Sequence, residues 1–97
     1  MDDRLTSYLA LVHTDAPDNY GVSFPDVPGC MTAGDTLDEA MENASEALVF
    51  HIEGMREDGD PLPRARDIHE LRADAEIADD LSDAIVIAVR VREPLTA

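Results

Sequence analysis

The side chains with the most chemical capacity in this 97-residue sequence are three histidines and one cysteine. His13, His51 and His69 lie far apart, and none has a second ligand at the i, i+4 step that puts two donors on one helix face. His51 falls near the apolar stripe of a helical segment, where an imidazole ordinarily packs with one nitrogen satisfied. Cys30 has no basic residue within several positions to stabilise a thiolate, so it reads as a small hydrophobe rather than a nucleophile. The carboxylates Asp35, Asp38 and Glu39, and Asp79, Asp80 and Asp83, have the donor type for a divalent ion. They lack calcium-loop spacing and fit helix starts and solvated loops better. With no phosphate-cradling glycine loop and no nucleophile elbow, the sequence is expected to hold no catalytic group, metal or cofactor, and to act through its surface rather than as an enzyme.

The elements that would form that surface follow from periodicity. Tyr8 to Thr14 alternates, with Tyr8, Ala10 and Val12 on one face and Leu9, Leu11 and His13 on the other, which predicts a first strand. Asp15 to Asn19 supplies turn residues, and a second alternating run from Tyr20 to Phe24 completes an antiparallel hairpin. Pro25 to Gly29 turns the chain again, and Cys30 to Ala33 forms a short third strand that Gly34 and Asp35 end. Thr36 with Glu39 three residues on has the form of a capping box, each side chain reaching the other residue's free amide. The helix that starts there carries Leu37, Ala40, Met41, Ala44, Leu48, Ile52 and Met55 at spacings of three and four, one stripe to pack on the sheet. Gly59 and the Pro61-Leu62-Pro63 run stop it. Arg64 to Asp83 is polar and expected to be largely irregular, with one short helix around Ile68 to Ala75. Ala84 to Arg92 is the last strand, with Ile85, Ile87, Val89 and Val91 on one face. A right-handed crossover would return it parallel to the first strand and beside it. The expected fold is α+β: one long helix on a four-stranded mixed sheet of order 3-2-1-4, βββαβ, in a single domain over residues 1–97.

Phe50 departs from the apolar stripe. It projects on the side of Glu39, Asn43, Glu46 and Glu53, so an aromatic ring stands among acids on the face turned away from the sheet. Either the segment after Pro63 folds back over it or it belongs to a contact surface. Glu39, Glu46, Val49, Phe50 and Glu53 are the candidate partner-binding residues, with Phe50 and Val49 as the apolar anchor.

Charge selects the partner. The chain has 22 acidic residues against 7 basic ones, a formal charge of −15. A field of that sign repels phosphate backbones, so direct nucleic-acid binding is not expected, whereas a basic protein surface is attracted and steered. No apolar run approaches the length of a membrane span and no signal-peptide core follows the N-terminus. With a single cysteine, these features point to a cytoplasmic protein.

Tyr20 to Leu48, YGVSFPDVPGCMTAGDTLDEAMENASEAL, resembles the HicB-like antitoxin domain. The family pattern is an aromatic and glycine opening a strand, a Pro-Asp pair, a Pro-Gly-Cys turn, a Gly-Asp-Thr helix start and a Glu-Ala pair in the first helical turn. Tyr20, Gly21, Pro25, Asp26, Pro28, Gly29, Cys30, Gly34, Asp35, Thr36, Glu39 and Ala40 match it, and the likeness extends over most of Tyr8 to Val91. It implies a partial ribonuclease H-like fold and the role of an antitoxin in a type II toxin-antitoxin system, neutralising a basic HicA-type messenger RNA ribonuclease by covering its active face. A ribonuclease H site needs an acidic residue within the first strand. Tyr8 to Thr14 has none, so nuclease activity is not expected. Many members also carry a C-terminal DNA-binding domain. None is recognisable after the last strand, so operator binding by this chain is not expected either. The other reading is an orphan module that oligomerises or regulates without a toxin. Under both readings free sheet edges favour a homodimer or larger homo-oligomer.

Overall fold

The computed structural model describes residues 4–93. Arg4–Ala16 (β1), Asn19–Ser23 (β2) and Met31–Gly34 (β3) precede the long helix Leu37–Glu57 (α1). Two short helices, Ile68–Arg72 (α2) and Ala75–Ser82 (α3), then lead to Ile85–Glu93 (β4). The sheet order is β3-β2-β1-β4, as the alternating runs predict.

The direction of β4 corrects the sequence reading. It pairs antiparallel with β1, from Arg4 opposite Glu93 to Val12 opposite Ile85, so the sheet is antiparallel throughout rather than mixed. The reason lies in the connection. A 21-residue helix is about 31 Å long and carries the chain from one end of the sheet to the other. A direct return from there would give a parallel strand. Instead the segment from Asp58 to Ala84 runs back along the sheet, so β4 starts at the end where β1 finishes. Two contacts mark its path: Tyr8 Oη–H donates to the Pro63 carbonyl (2.8 Å), and His13 Nε2 meets the Asp80 carbonyl (3.2 Å). A carbonyl only accepts, so Nε2 carries the proton in that bond.

This segment also holds more helix than its polar composition suggests. Asp67 accepts from the Glu70 amide while Glu70 accepts from the Asp67 amide, a complete capping box that starts α2, and Asp74 caps α3 by accepting from the Glu76 amide. Leu71 is the buried anchor of the pair of helices.

The core lies between α1 and one sheet face. Tyr8, Ala10 and Val12 of β1, Val22 of β2 and Val89 and Val91 of β4 meet Ala40, Ala44, Leu48 and Ile52 of α1, with Phe24, Val27 and Cys30 from the turn closing one end. Met41 is a second correction. It was expected in the buried stripe but is 42% exposed, at the border of the stripe beside β4.

Both ends of α1 are fixed by side-chain and backbone chemistry. Thr36 Oγ1 accepts from the Glu39 amide, but the Glu39 carboxylate takes the amide of Asp35 (2.7 Å) rather than that of Thr36, so the expected reciprocal bond falls one residue earlier. At the other end Gly59 (φ 77°) donates to the Arg56 carbonyl and Asp60 to that of Met55, the Schellman pattern.

Gly34 sets how closely α1 approaches β3. A Cβ there would stand 2.5 Å from the Ala40 amide nitrogen and 2.8 Å from its Cα, both backbone atoms that cannot swing aside. Gly34→Ala should therefore cost about 1–3 kcal/mol through forced displacement of the helix start. Urea unfolding followed by circular dichroism measures this. A midpoint equal to wild type would show that the helix can shift freely.

Candidate functional site

The outward face of α1 is the feature that buried packing leaves unused. Ala40, Ala44, Leu48 and Ile52 take one side of the helix into the core, so residues a half-turn away must face water. Phe50 is 80% exposed and Val49 37% exposed, and nothing from the segment after Pro63 covers the ring. Of the two possibilities that the sequence left open, exposure excludes the fold-back of the segment after Pro63. Glu46 and Glu53, one turn to either side of Phe50, are exposed as well.

Glu39, the fifth candidate, does not join this cluster. It lies eleven residues from Phe50, about 16 Å along the axis, and its carboxylate is held by the Asp35 amide. Asn43, between them, turns its Nδ2 to the Ala33 carbonyl (2.8 Å) and so fastens the helix to β3. The compact group is Glu46, Val49, Phe50 and Glu53: an apolar centre between carboxylates, with no cation paired to either glutamate among the described residues. Such a surface can bind by burying the ring while its acids meet complementary charge at the rim.

The remaining motif residues are placed for structure. Gly29 takes φ 87° in the turn before β3, with His51 Cε1 of α1 packed beside it. Cys30 is buried at the end of that turn, and burial pushes its thiol up, away from a reactive thiolate. Asp35, Asp38 and Glu39 cluster at the start of α1, and Asp79, Asp80 and Asp83 at the end of α3. Among the described residues no three His, Cys, Asp or Glu side chains converge as ligands for a metal ion.

Asp26 has a role that sequence reading missed. Its Oδ2 accepts from the Arg66 backbone amide (2.7 Å) and its Oδ1 from Arg66 Nε (2.6 Å), while Arg66 Nη1 donates to Asp74 (3.0 Å). With Asp26 5% exposed and Arg66 24% exposed, this pair ties the turn before β3 to the returning segment forty residues later. The Pro-Asp pair was visible in the sequence, but nothing local named its partner. The Arg66 hydrogen bond, helped by the Glu76 amide, holds Asp74 below the usual carboxylate range. The Arg64 hydrogen bond, helped by the Asp67 amide, does the same to Glu70.

An antiparallel sheet with a long helix on one face and an exposed aromatic between acids on that helix define a small α+β domain. Residues 8–94 match the HicB_like antitoxin of bacterial toxin-antitoxin systems, and the chain belongs to that family. Its members are antitoxins, not enzymes. Over 53 residues the chain is 62% identical to an uncharacterised 14.9 kDa protein from the rep-hol intergenic region of Haemophilus phage HP1, a match over 55% of this chain and 40% of that protein. This chain thus spans less than half of that relative. The N-terminal domain of the antitoxin HicB of Burkholderia pseudomallei has the same fold, with TM-score 0.69 and 33% identity over 89% of this chain and 98% of that one. A chain of the HicA3 and HicB3 toxin-antitoxin complex matches with TM-score 0.68 and 29% identity, over 87% of this chain and 95% of that one. No described helix is long and apolar enough to cross a membrane.

The Arg66 hydrogen bond to Asp74, whose pKa it lowers, gives a pH prediction with a definite sign. A carboxylate whose folded pKa is depressed stabilises the fold above its ordinary range and loses that contribution as pH falls through the folded value. Arg66→Met should cost about 2 kcal/mol near pH 7, less than for a fully buried pair because the guanidinium keeps some solvent. The difference from wild type in urea midpoint should shrink below about pH 4, where carboxylates protonate. A difference that stays constant from pH 7 to pH 3 would assign the loss to packing alone.

Proposed function

We propose that this chain is the antitoxin of a type II toxin-antitoxin pair and that it neutralises a basic HicA-type messenger RNA ribonuclease by covering its active face with the outer side of α1. The observation that carries the reading is Phe50, 80% exposed on a core-packed helix and flanked by Glu46 and Glu53. Isolated exposed apolar residues are ordinary, but a bare phenylalanine beside Val49 has the form of an interface anchor. The formal charge of −15 supports a cationic partner, because it speeds encounter with basic surfaces and disfavours RNA in the same place. The family and the existence of a HicA3-HicB3 complex among its relatives support the toxin class.

In this reading the chain works in the cytoplasm, makes no direct contact with nucleic acid and needs no cofactor. It also associates with itself as a dimer or larger, the part of its behaviour that the orphan-module alternative shares.

The test is co-purification with a HicA-type protein encoded beside this chain, followed by calorimetry. Phe50→Ala should weaken the complex about 30-fold or more, the loss of a central hot spot. A Glu46→Lys, Glu53→Lys double variant should slow association, and the wild-type complex should weaken as salt rises. Phe50 is exposed, so its replacement should leave the stability of the free chain within about 0.5 kcal/mol. Unchanged affinity in both variants would remove α1 from the interface. No complex with any such protein would favour the orphan reading.

A further inference from the structure

The two edges of the sheet are unequal. β3 is four residues long, and the Asn43 side chain already occupies its Ala33 carbonyl. β4 is nine residues long, about 30 Å, and pairs with β1 in unbroken register, without a bulge to twist it away from new partners. Its first five residues, Ile85 to Val89, contain no proline and no charge, the features that commonly protect an edge.

Its composition is that of an interior strand. Ala84 to Val89 reads AIVIAV, apolar on both faces, the pattern of strands with neighbours on each side. At the edge this leaves Ile85 42% exposed and Val86 37% exposed, on opposite faces of the sheet. On the helix side a shallow groove lined by Met41, Ser45, Ile87 and Val89 continues the apolar surface on to α1, which accounts for Met41 standing outside the core.

We infer that the free edge of β4 receives β4 of a second copy of this chain, antiparallel and related by a two-fold axis perpendicular to the sheet, making one continuous eight-stranded sheet. Charge identifies the occupant. Two copies at −15 repel over most of their surface, but in β4 only the terminal Glu93 is acidic against two arginines, so like-charge repulsion is low along this edge. Symmetry then limits the register. Opposed residues must lie on the same sheet face, so one residue sits on the axis facing itself. Val89, the centre of the nine-residue strand, fills that place. Ile87 then opposes Val91 of the second copy and Arg90 opposes Ala88 of the second copy, so the Arg90 guanidinium groups stay apart. The inference specifies the surface of the self-association proposed above and does not depend on the toxin.

The experiment uses the full chain without toxin. Sedimentation velocity should show a dimer or a multiple of it. Its association should tighten as salt screens the net repulsion, opposite in sign to the toxin complex. Val86→Lys, at an exposed position, should weaken self-association at least tenfold while circular dichroism stays unchanged. As a second measurement, Ala88→Cys should be joined to its own copy by a short bis-maleimide, whereas Phe50→Cys should not. A monomeric wild-type chain overturns the inference. So does a dimer that is indifferent to Val86→Lys and not cross-linked at position 88, which would place self-association elsewhere. Both outcomes leave the toxin reading standing on its own test.

Discussion

A single helix lying on one face of a sheet can bury one stripe of its own surface and no more. Here the stripe is Ala40, Ala44, Leu48 and Ile52, each at most 1% exposed. Small residues at the first two positions let α1 approach β3 so closely that only glycine fits at position 34. Larger ones farther along, Leu48 and Ile52, are fully buried in the core. Leu48 and Ile52 each contribute about 1.5–3 kcal/mol of burial, enough to fix the rotation of the helix against a net stability of about 5–15 kcal/mol. Once that rotation is fixed, Phe50 has nowhere to go but outward. The candidate surface is thus a geometric consequence of the core, and the sequence commits an aromatic to water where a polar residue would serve folding equally well.

The same arrangement explains why polar clamps matter in this fold. The returning segment supplies few large apolar side chains, chiefly Leu71, and cannot hold its course by burial alone. Its course is set at identifiable points: Tyr8 on the Pro63 carbonyl, Asp26 on Arg66, Arg66 on Asp74 and His13 on the Asp80 carbonyl. The Asp26 contact is the strongest of these on physical grounds, since a nearly buried carboxylate receives both a backbone amide and a guanidinium. Where β4 begins, and therefore which way it runs, follows from where these contacts deliver the chain.

What could be read from the sequence divides along the same line. Elements whose residues meet neighbours at fixed short spacing were legible: the alternation through Tyr8 to Thr14, the three-four stripe of α1, the stop at Gly59 and the apolar run of β4. The order of strands followed from short connections. The direction of β4 did not, because it depends on a 27-residue path whose fixed points pair Asp26 with a residue forty positions away. Of the two short helices, the first was expected around Ile68 to Ala75 and is marked by Asp67 and Glu70 at capping-box spacing, whereas α3, without an apolar period to follow, read as loop. Phe50 was legible as an outlier to its stripe, and only the course of the returning segment decided that it stays uncovered. Glu39 stands apart from the Phe50 group, since its carboxylate accepts from the Asp35 amide at the start of the helix.

The charge distribution separates the two surfaces that this architecture leaves open. The outer face of α1 points along the normal of the sheet and carries carboxylates beside its aromatic, whereas the β4 edge points within the plane of the sheet and carries only the terminal Glu93. The proposed cationic partner would be drawn to the first, and a second copy of an acidic chain would meet little repulsion at the second. Because the directions are nearly perpendicular, strands joined edge to edge would leave Phe50 of each copy facing solvent. Salt acts on the two contacts with opposite sign, since screening removes an attraction at one and a repulsion at the other. Under the two proposals, self-contact and partner contact would be kept distinct by which strand lies at the edge and which side of the helix the core consumes.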